Sequence, residues 1–261
     1  MATIADIAEP MPRARRDRFF LILSLLMIAV IVGGFSLNLA MGRSSFGMPL
    51  IYHVHALVFM GWIAIYLAQN LLVATGNVAV HRQLGWVALV WVPAMLAMGL
   101  AITLYSVRNH GGPPFFALPE FLFGNPGGLL CFGGLVFAAF RMRTRSDWHR
   151  RLMLCSMAAI TGPGFGRLLP VPFMIPWSWL VAALLAPLIF PLIGAAMDWK
   201  RSGRVHPAWL WGMGAMIGTF LVAEAIAFSP LGEAAGRWVV AGTPGAERPF
   251  AAHWPPAPLR P

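Results

Sequence analysis

The chain has 261 residues, of which 59% are hydrophobic and only 11% charged, and its mean hydropathy is +0.72. A water-soluble domain carries roughly 25% charged residues, so this sequence has too little polar surface to face water and belongs in a bilayer. The formal net charge of +10 fits either nucleic acid or an anionic membrane surface; the placement of the basic residues, given below, accounts for it by membrane topology and sets nucleic acid aside.

Residues 1–18 hold Arg13, Arg15, Arg16 and Arg18 and read as a cytosolic N-terminal segment. The apolar run at 19–41 is longer than the ~7–15 residues of a signal-peptide core, so it reads as a retained first span. Six more runs follow at about 51–75, 84–107, 118–141, 150–169, 177–198 and 207–229. Roughly 20 apolar residues cross a bilayer as a helix, and lipid leaves backbone polar groups no partner outside their own segment. The expected fold class is therefore all-α: a polytopic membrane helix bundle of about seven transmembrane helices filling residues 19–229. With the N-terminus inside, this threading puts thirteen of the 19 Lys and Arg residues on the cytosolic side, as the positive-inside bias requires. The C-terminus then lies outside, and the expected location is a bacterial inner membrane. The stretch 230–261 reads as an irregular, Pro-rich outer-face tail.

Span 2 contains "HVHALVFMGWIAIYLAQN" at 53–70. At about 100° per residue, His55, Trp62, Tyr66 and Gln69 fall on one stripe, with His53 on nearly the opposite side. Polar groups are costly against lipid, so the stripe is expected to face the bundle interior. There it serves either as interhelical hydrogen bonding or as the lining of a ligand site or proton path.

Spans 3 and 5 both begin with His-Arg: "HRQLG" from His81 and "HRRLM" from His149. Spans 2–3 and 4–5 accordingly read as two copies of one helix hairpin. Arginine at an inner helix end satisfies the charge bias by itself. The same repeat also brings His81 and His149 to one depth, where two imidazoles can ligate the iron of haem b or another transition metal.

Glu120 and Asn125 open span 4, Arg167 closes span 5 and Glu224 lies in the outer third of span 7. With His55 these residues are expected near one depth at the outer face, either as a site or as an Arg167–Glu224 or His55–Glu224 pair that locks helices together. "TGPGFG" at 161–166 is expected to kink or end span 5, and Pro187 and Pro191 to kink span 6. Trp148, Trp177, Trp179, Trp199 and Trp209 fall near span ends and read as interfacial anchors. Cys131 and Cys155 lie in apolar runs and read as small hydrophobes.

P-loop, GxGxxG, HExxH and GxSxG patterns are absent. The one lysine, Lys200, sits in an inner loop, which excludes a retinal Schiff base in span 7. The segments "HALVFMGWIAIYLAQNLLVATGNVAVHRQLGW" (55–86) and "DWHRRLMLCSMAAI" (147–160) resemble a group of uncharacterised bacterial polytopic membrane proteins. That resemblance implies topology and no settled activity. A weaker similarity, to transmembrane b-type cytochromes, rests on helix-borne histidine alone. Three functions remain open: binding or translocation of a small molecule, ion or proton in a polar pocket between helices; a haem- or metal-binding redox protein; and a non-catalytic assembly or scaffold subunit. The partners expected are the lipid bilayer and, under the first of these, a small-molecule ligand.

Overall fold

The structure, a computed structural model, describes residues 18–254. The expected cytosolic segment, up to residue 17, and the final residues 255–261 lie outside the described residues. Among the described residues the chain is all-α. The protein is a membrane-spanning helix bundle. Six helices are long and apolar enough to cross a bilayer: α1 (Phe19–Ala40), α2 (Leu50–Thr75), α4 (Ala88–His110), α5 (Leu118–Arg141), α8 (Ser178–Ser202) and α9 (Pro207–Ala227). Large apolar side chains face outward along each of them, among them Leu26, Leu57, Val90, Phe137, Leu192 and Leu210. In water such a surface would aggregate; against acyl chains it is solvated.

A seventh pass is made in two pieces, α6 (Ser146–Ala159) and α7 (Gly162–Leu168). The helix breaks at Ile160 and Thr161, just before Pro163, because proline lacks the N–H that would continue the ladder. The Thr161 hydroxyl donates back to the Ala158 carbonyl (2.7 Å) at this break. The two pieces still traverse the bundle. Arg151 of α6 bonds to Asp198 near the end of α8, while Arg167 of α7 lies over Phe35, near the C-terminal end of α1. Small residues let α7 dock. A side chain on Gly34 would strike the Gly164 backbone, and one on Gly164 would come within 2.9 Å of the α1 backbone at Ile31.

Two boundaries differ from those expected. The run placed at 84–107 is helical from Ala88 as α4, and the residues just before it form a separate short helix, α3 (Val78–Gly85), so the polar "HRQLG" segment is separate from the membrane pass. Gly76 ends α2 in the left-handed conformation (φ 88°) and redirects the chain into α3. The residues from Pro230 are not irregular throughout: α10 (Pro230–Val240) forms there, with the Ser229 hydroxyl accepting from the Gly232 N–H at its start. It packs on α4 and α5. In α8 a wider π turn spans Val181–Leu185, directly ahead of Pro187.

The two expected hairpins are present as packed pairs, α2 with α4 and α5 with α6. The Trp91 indole N–H donates to the Val58 carbonyl (2.9 Å) across the first, above the space left by Gly61. The core runs down the bundle axis through Met27, Trp62, Met95, Phe132, Leu154 and Trp209.

Candidate functional site

The arginine-rich ends of the helices gather at one end of the bundle, where the buried Arg151–Asp198 pair is fully engaged. Arg151 grips Asp198 through two parallel hydrogen bonds, Nε to Oδ2 and Nη2 to Oδ1, both 2.8 Å. The Trp209 indole N–H adds a third bond to Oδ2 at 2.7 Å. Arg151 also donates to the Asp147 carbonyl, and the Asp147 carboxylate meets His206 Nε2 at 3.0 Å. That contact with His206 holds the Asp147 carboxyl below the usual carboxylate range. Trp209 is thus not an interfacial anchor: it is fully buried, and its ring stacks on Phe20.

His81 and His149 meet at the same end, with ring centroids 6.2 Å apart and planes at 80°. The repeat did bring them to one depth. His149 donates from Nδ1 to the Ala139 carbonyl (2.8 Å), which leaves its Nε2 with a free lone pair. Nδ1 of His81 has no partner. Burial, and then the neighbouring His149, lower the affinity of His81 for a proton below that of an ordinary imidazole. Among the described residues no cluster of three or more His, Cys, Asp or Glu surrounds them, so a metal held here would take two protein ligands.

The span-2 stripe faces inward as expected. Trp62 and Tyr66 are buried, His55 and Gln69 are half-buried, and His53 points out with its ring bonded to the Met48 carbonyl. Three of the four stripe residues carry a buried polar atom without a partner: His55 Nδ1, Trp62 Nε1 and Gln69 Oε1.

At the opposite end of the bundle the expected cluster assembles as two groups rather than one. His55 lies within electrostatic reach of Arg167. The Arg167 guanidinium donates through Nη1 to the Pro163 carbonyl (2.8 Å) and sits 4.0 Å above the Phe35 ring, while its buried Nε is unbonded. The second group is Glu224 with Glu120 and Trp179. Trp179 stands beside Glu224 without closing a hydrogen bond to it, and both Trp179 Nε1 and Glu224 Oε1 are buried and unbonded. Neither expected locking pair forms: Glu224 bridges to neither Arg167 nor His55 among the described residues. Two expected members have local duties. Glu120 accepts the Ala117 N–H (2.9 Å) at the start of α5, and Asn125 donates to the Thr103 hydroxyl (2.6 Å) between α5 and α4.

Trp179 is the residue the sequence reading misplaced here. It is buried, not interfacial, in a slot that exists because residue 124 is glycine: any side chain there would overlap the indole. The neighbouring Trp177, by contrast, is 65% exposed. Asp198 was also missed, although an acid within four residues of the end of an apolar run, opposite an arginine near the start of the preceding one, was a readable signal. No family model, curated protein or solved structure matches the chain.

Proposed function

We propose that this protein binds and passes a small polar solute, ion or proton along the interior face of α2. The observation that carries this reading is the row of buried polar atoms without partners. His55 Nδ1, Trp62 Nε1, Gln69 Oε1 and His81 Nδ1 follow one another along α2 and α3, and Arg167 Nε, Trp179 Nε1 and Glu224 Oε1 stand at the far end. An unmet buried polar group costs about 1–3 kcal/mol, and native proteins leave few of them. Four in a row along α2 and α3, with two further groups at the far end, are satisfied in this reading by something that moves through or rests there. The arginine-rich end faces the cytosol in this reading, within a bacterial inner membrane, as in the uncharacterised proteins that the helix motifs resemble.

Cysteine accessibility tests the path directly. Single cysteines replacing Trp62 and Gln69, in a background with Cys131 and Cys155 changed to alanine, are expected to react with a small aqueous thiol reagent in intact membranes. A cysteine replacing the buried Met95 serves as the dry reference. Equal, slow labelling at all three positions would end the proposal and leave the stripe as helix-to-helix adhesion, as a scaffold subunit requires. Proton flux into proteoliposomes, lost in Glu224→Gln, assigns the moving species as the proton; a labelled path without flux assigns a larger solute.

The His81–His149 approach favours a second reading, a redox protein holding haem b or a transition metal between the two rings. Its test is the absorbance spectrum and metal content of the purified protein. A Soret band or a stoichiometric metal that disappears in His149→Ala supports it, and a colourless, metal-free sample removes it.

A further inference from the structure

A groove of about 770 Å³ opens on the outer surface of the bundle between α5, α6 and α9, away from the polar path. Its walls are two rows spaced by four residues, Leu130, Gly134 and Ala138 on α5 and Trp211, Ala215 and Thr219 on α9. Such rows run nearly along the helix axes. The groove is open because several positions along its walls, Gly134, Ala138 and Ala215, are small. Leu130 and Trp211 stand out on the rims, 66% and 71% exposed, whereas a side chain added at Gly134 would meet open space.

Its length is informative. The lining on α5 runs from Leu130 to Arg141, about 16 Å at 1.5 Å per residue. Half of a ~30 Å hydrocarbon core is about 15 Å. The groove therefore extends across one leaflet, from the bilayer midplane to the arginine-rich end. Apart from Thr219 and Cys131 its lining is apolar until that end, where it meets Arg141 and Trp148. No hydrogen bond or ion pair engages the Arg141 guanidinium among the described residues. A second cation stands close: the Arg145 guanidinium lies 5.4 Å over the Trp148 ring.

We infer that this groove is a binding site for one anionic phospholipid, with an acyl chain between the two rows and the phosphate at Arg141. The shape selects a chain one leaflet long, and the free cation at its mouth selects a negative headgroup. Basic pockets between helices at the cytosolic side recognise acidic lipids on this principle. The inference is independent of the polar path and uses none of its residues.

Native mass spectrometry of the delipidated full chain tests it, with phosphatidylglycerol and phosphatidylcholine of identical acyl chains as probes. One phosphatidylglycerol is expected to be retained per chain, in preference to phosphatidylcholine. Gly134→Leu is expected to weaken both lipids about tenfold, the equivalent of roughly two lost methylene contacts. Ala215→Leu, from the facing helix, should act in the same direction. Arg141→Gln is expected to leave phosphatidylcholine unchanged and to lower the preference for phosphatidylglycerol about fivefold, one arginine's share. Melting curves matching wild type show that each variant is folded. Equal retention of both lipids by wild type, or retention indifferent to Gly134→Leu and Ala215→Leu alike, overturns the inference and leaves only the general lipid annulus. So does a dimer that Gly134→Leu converts to monomer, which would make a second copy of the chain the occupant.

Discussion

The two ends of this bundle bury the same kinds of side chain and treat them in opposite ways. At the arginine-rich end Asp198 accepts three hydrogen bonds from two side chains, and Asp147 and His206 complete one another. At the other end Arg167 with His55, and Glu224 with Trp179, form two groups in which each residue has a buried nitrogen or oxygen that bonds to nothing. A buried charge whose hydrogen bonds are all made fixes one arrangement of helices, and removing one partner exposes the full desolvation penalty of the other. Charges left short of partners do not hold helices together; they are suited to something that arrives and leaves. The comparison separates a lock from an opening within one molecule, and each can be tested by what its loss does to stability.

The largest effect is expected at the lock. Asp198→Ala leaves Arg151 and the Trp209 indole buried without their acceptor, and removing one partner of a buried pair costs about 3–5 kcal/mol. Thermal unfolding in detergent or nanodiscs should show it as a lower melting temperature than any single substitution at the opposite end. Asp198→Asn, which keeps an acceptor oxygen for one of the two donors, should lie between it and wild type. If Asp198→Ala melts with wild type, the network at this end is incidental and the contrast between the two ends disappears.

The opening is expected to behave in reverse. Arg167→Met removes a guanidinium that has one backbone bond, an aromatic face and no carboxylate, and supplies an apolar chain of comparable reach. Replacing buried charge by a well-packed apolar group is often neutral or favourable, so stability should change by less than about 1 kcal/mol while the labelling or flux that defines the path is altered. A loss as large as that of Asp198→Ala would mean that Arg167 holds helices together after all.

The contrast was only partly legible in the sequence. Composition and run length gave the membrane bundle and its passes, because lipid as solvent constrains every long apolar segment in the same way. The helix period placed Trp62 and Tyr66 inward, and the repeated His-Arg brought His81 to His149. What failed was the pairing of polar side chains between spans that are not joined in a hairpin. The partner of Glu224 was expected to be Arg167 or His55, each on a different span at similar depth. Of the expected cluster the fold keeps Glu120 near it and adds Trp179, and Trp179 gets there through the space left by Gly124 on another helix. Depth is a property of one span and can be counted along it. Adjacency is a property of packing between spans, set by small residues such as Gly34, Gly124 and Gly164 whose role shows only when the facing helix is known. The helix at Pro230–Val240 was hidden for a related reason. Its apolar residues, among them the buried Val240, serve one side of a short surface helix, and a Pro- and Gly-rich composition masks so brief a pattern.

The smallest expected effect lies between the two ends in character, at His81, which is outside the spanning helices and only half-buried. Its affinity for a proton is lowered by burial and by His149, so its folded value lies below the ~6.5 of a free imidazole. Above about pH 6.5 the ring is neutral folded or unfolded, and titration contributes nothing. As the pH falls below that value the unfolded chain takes up the proton first, and stability declines until the folded value has been passed. His81→Gln should therefore melt with wild type at pH 8 and retain more of its stability at pH 5, a difference of a few degrees at most. Asp147 cannot imitate this. Its carboxyl is held below the ordinary value of about 3.9 by His206, so its contribution is intact above pH 4 and is lost only as the pH falls further. A wild-type protein as stable at pH 5 as at pH 8, with His81→Gln indistinguishable from it, would show that the imidazole pair is solvated and open. The second, metal-holding reading of that end would then lose its desolvated pocket along with the pH effect.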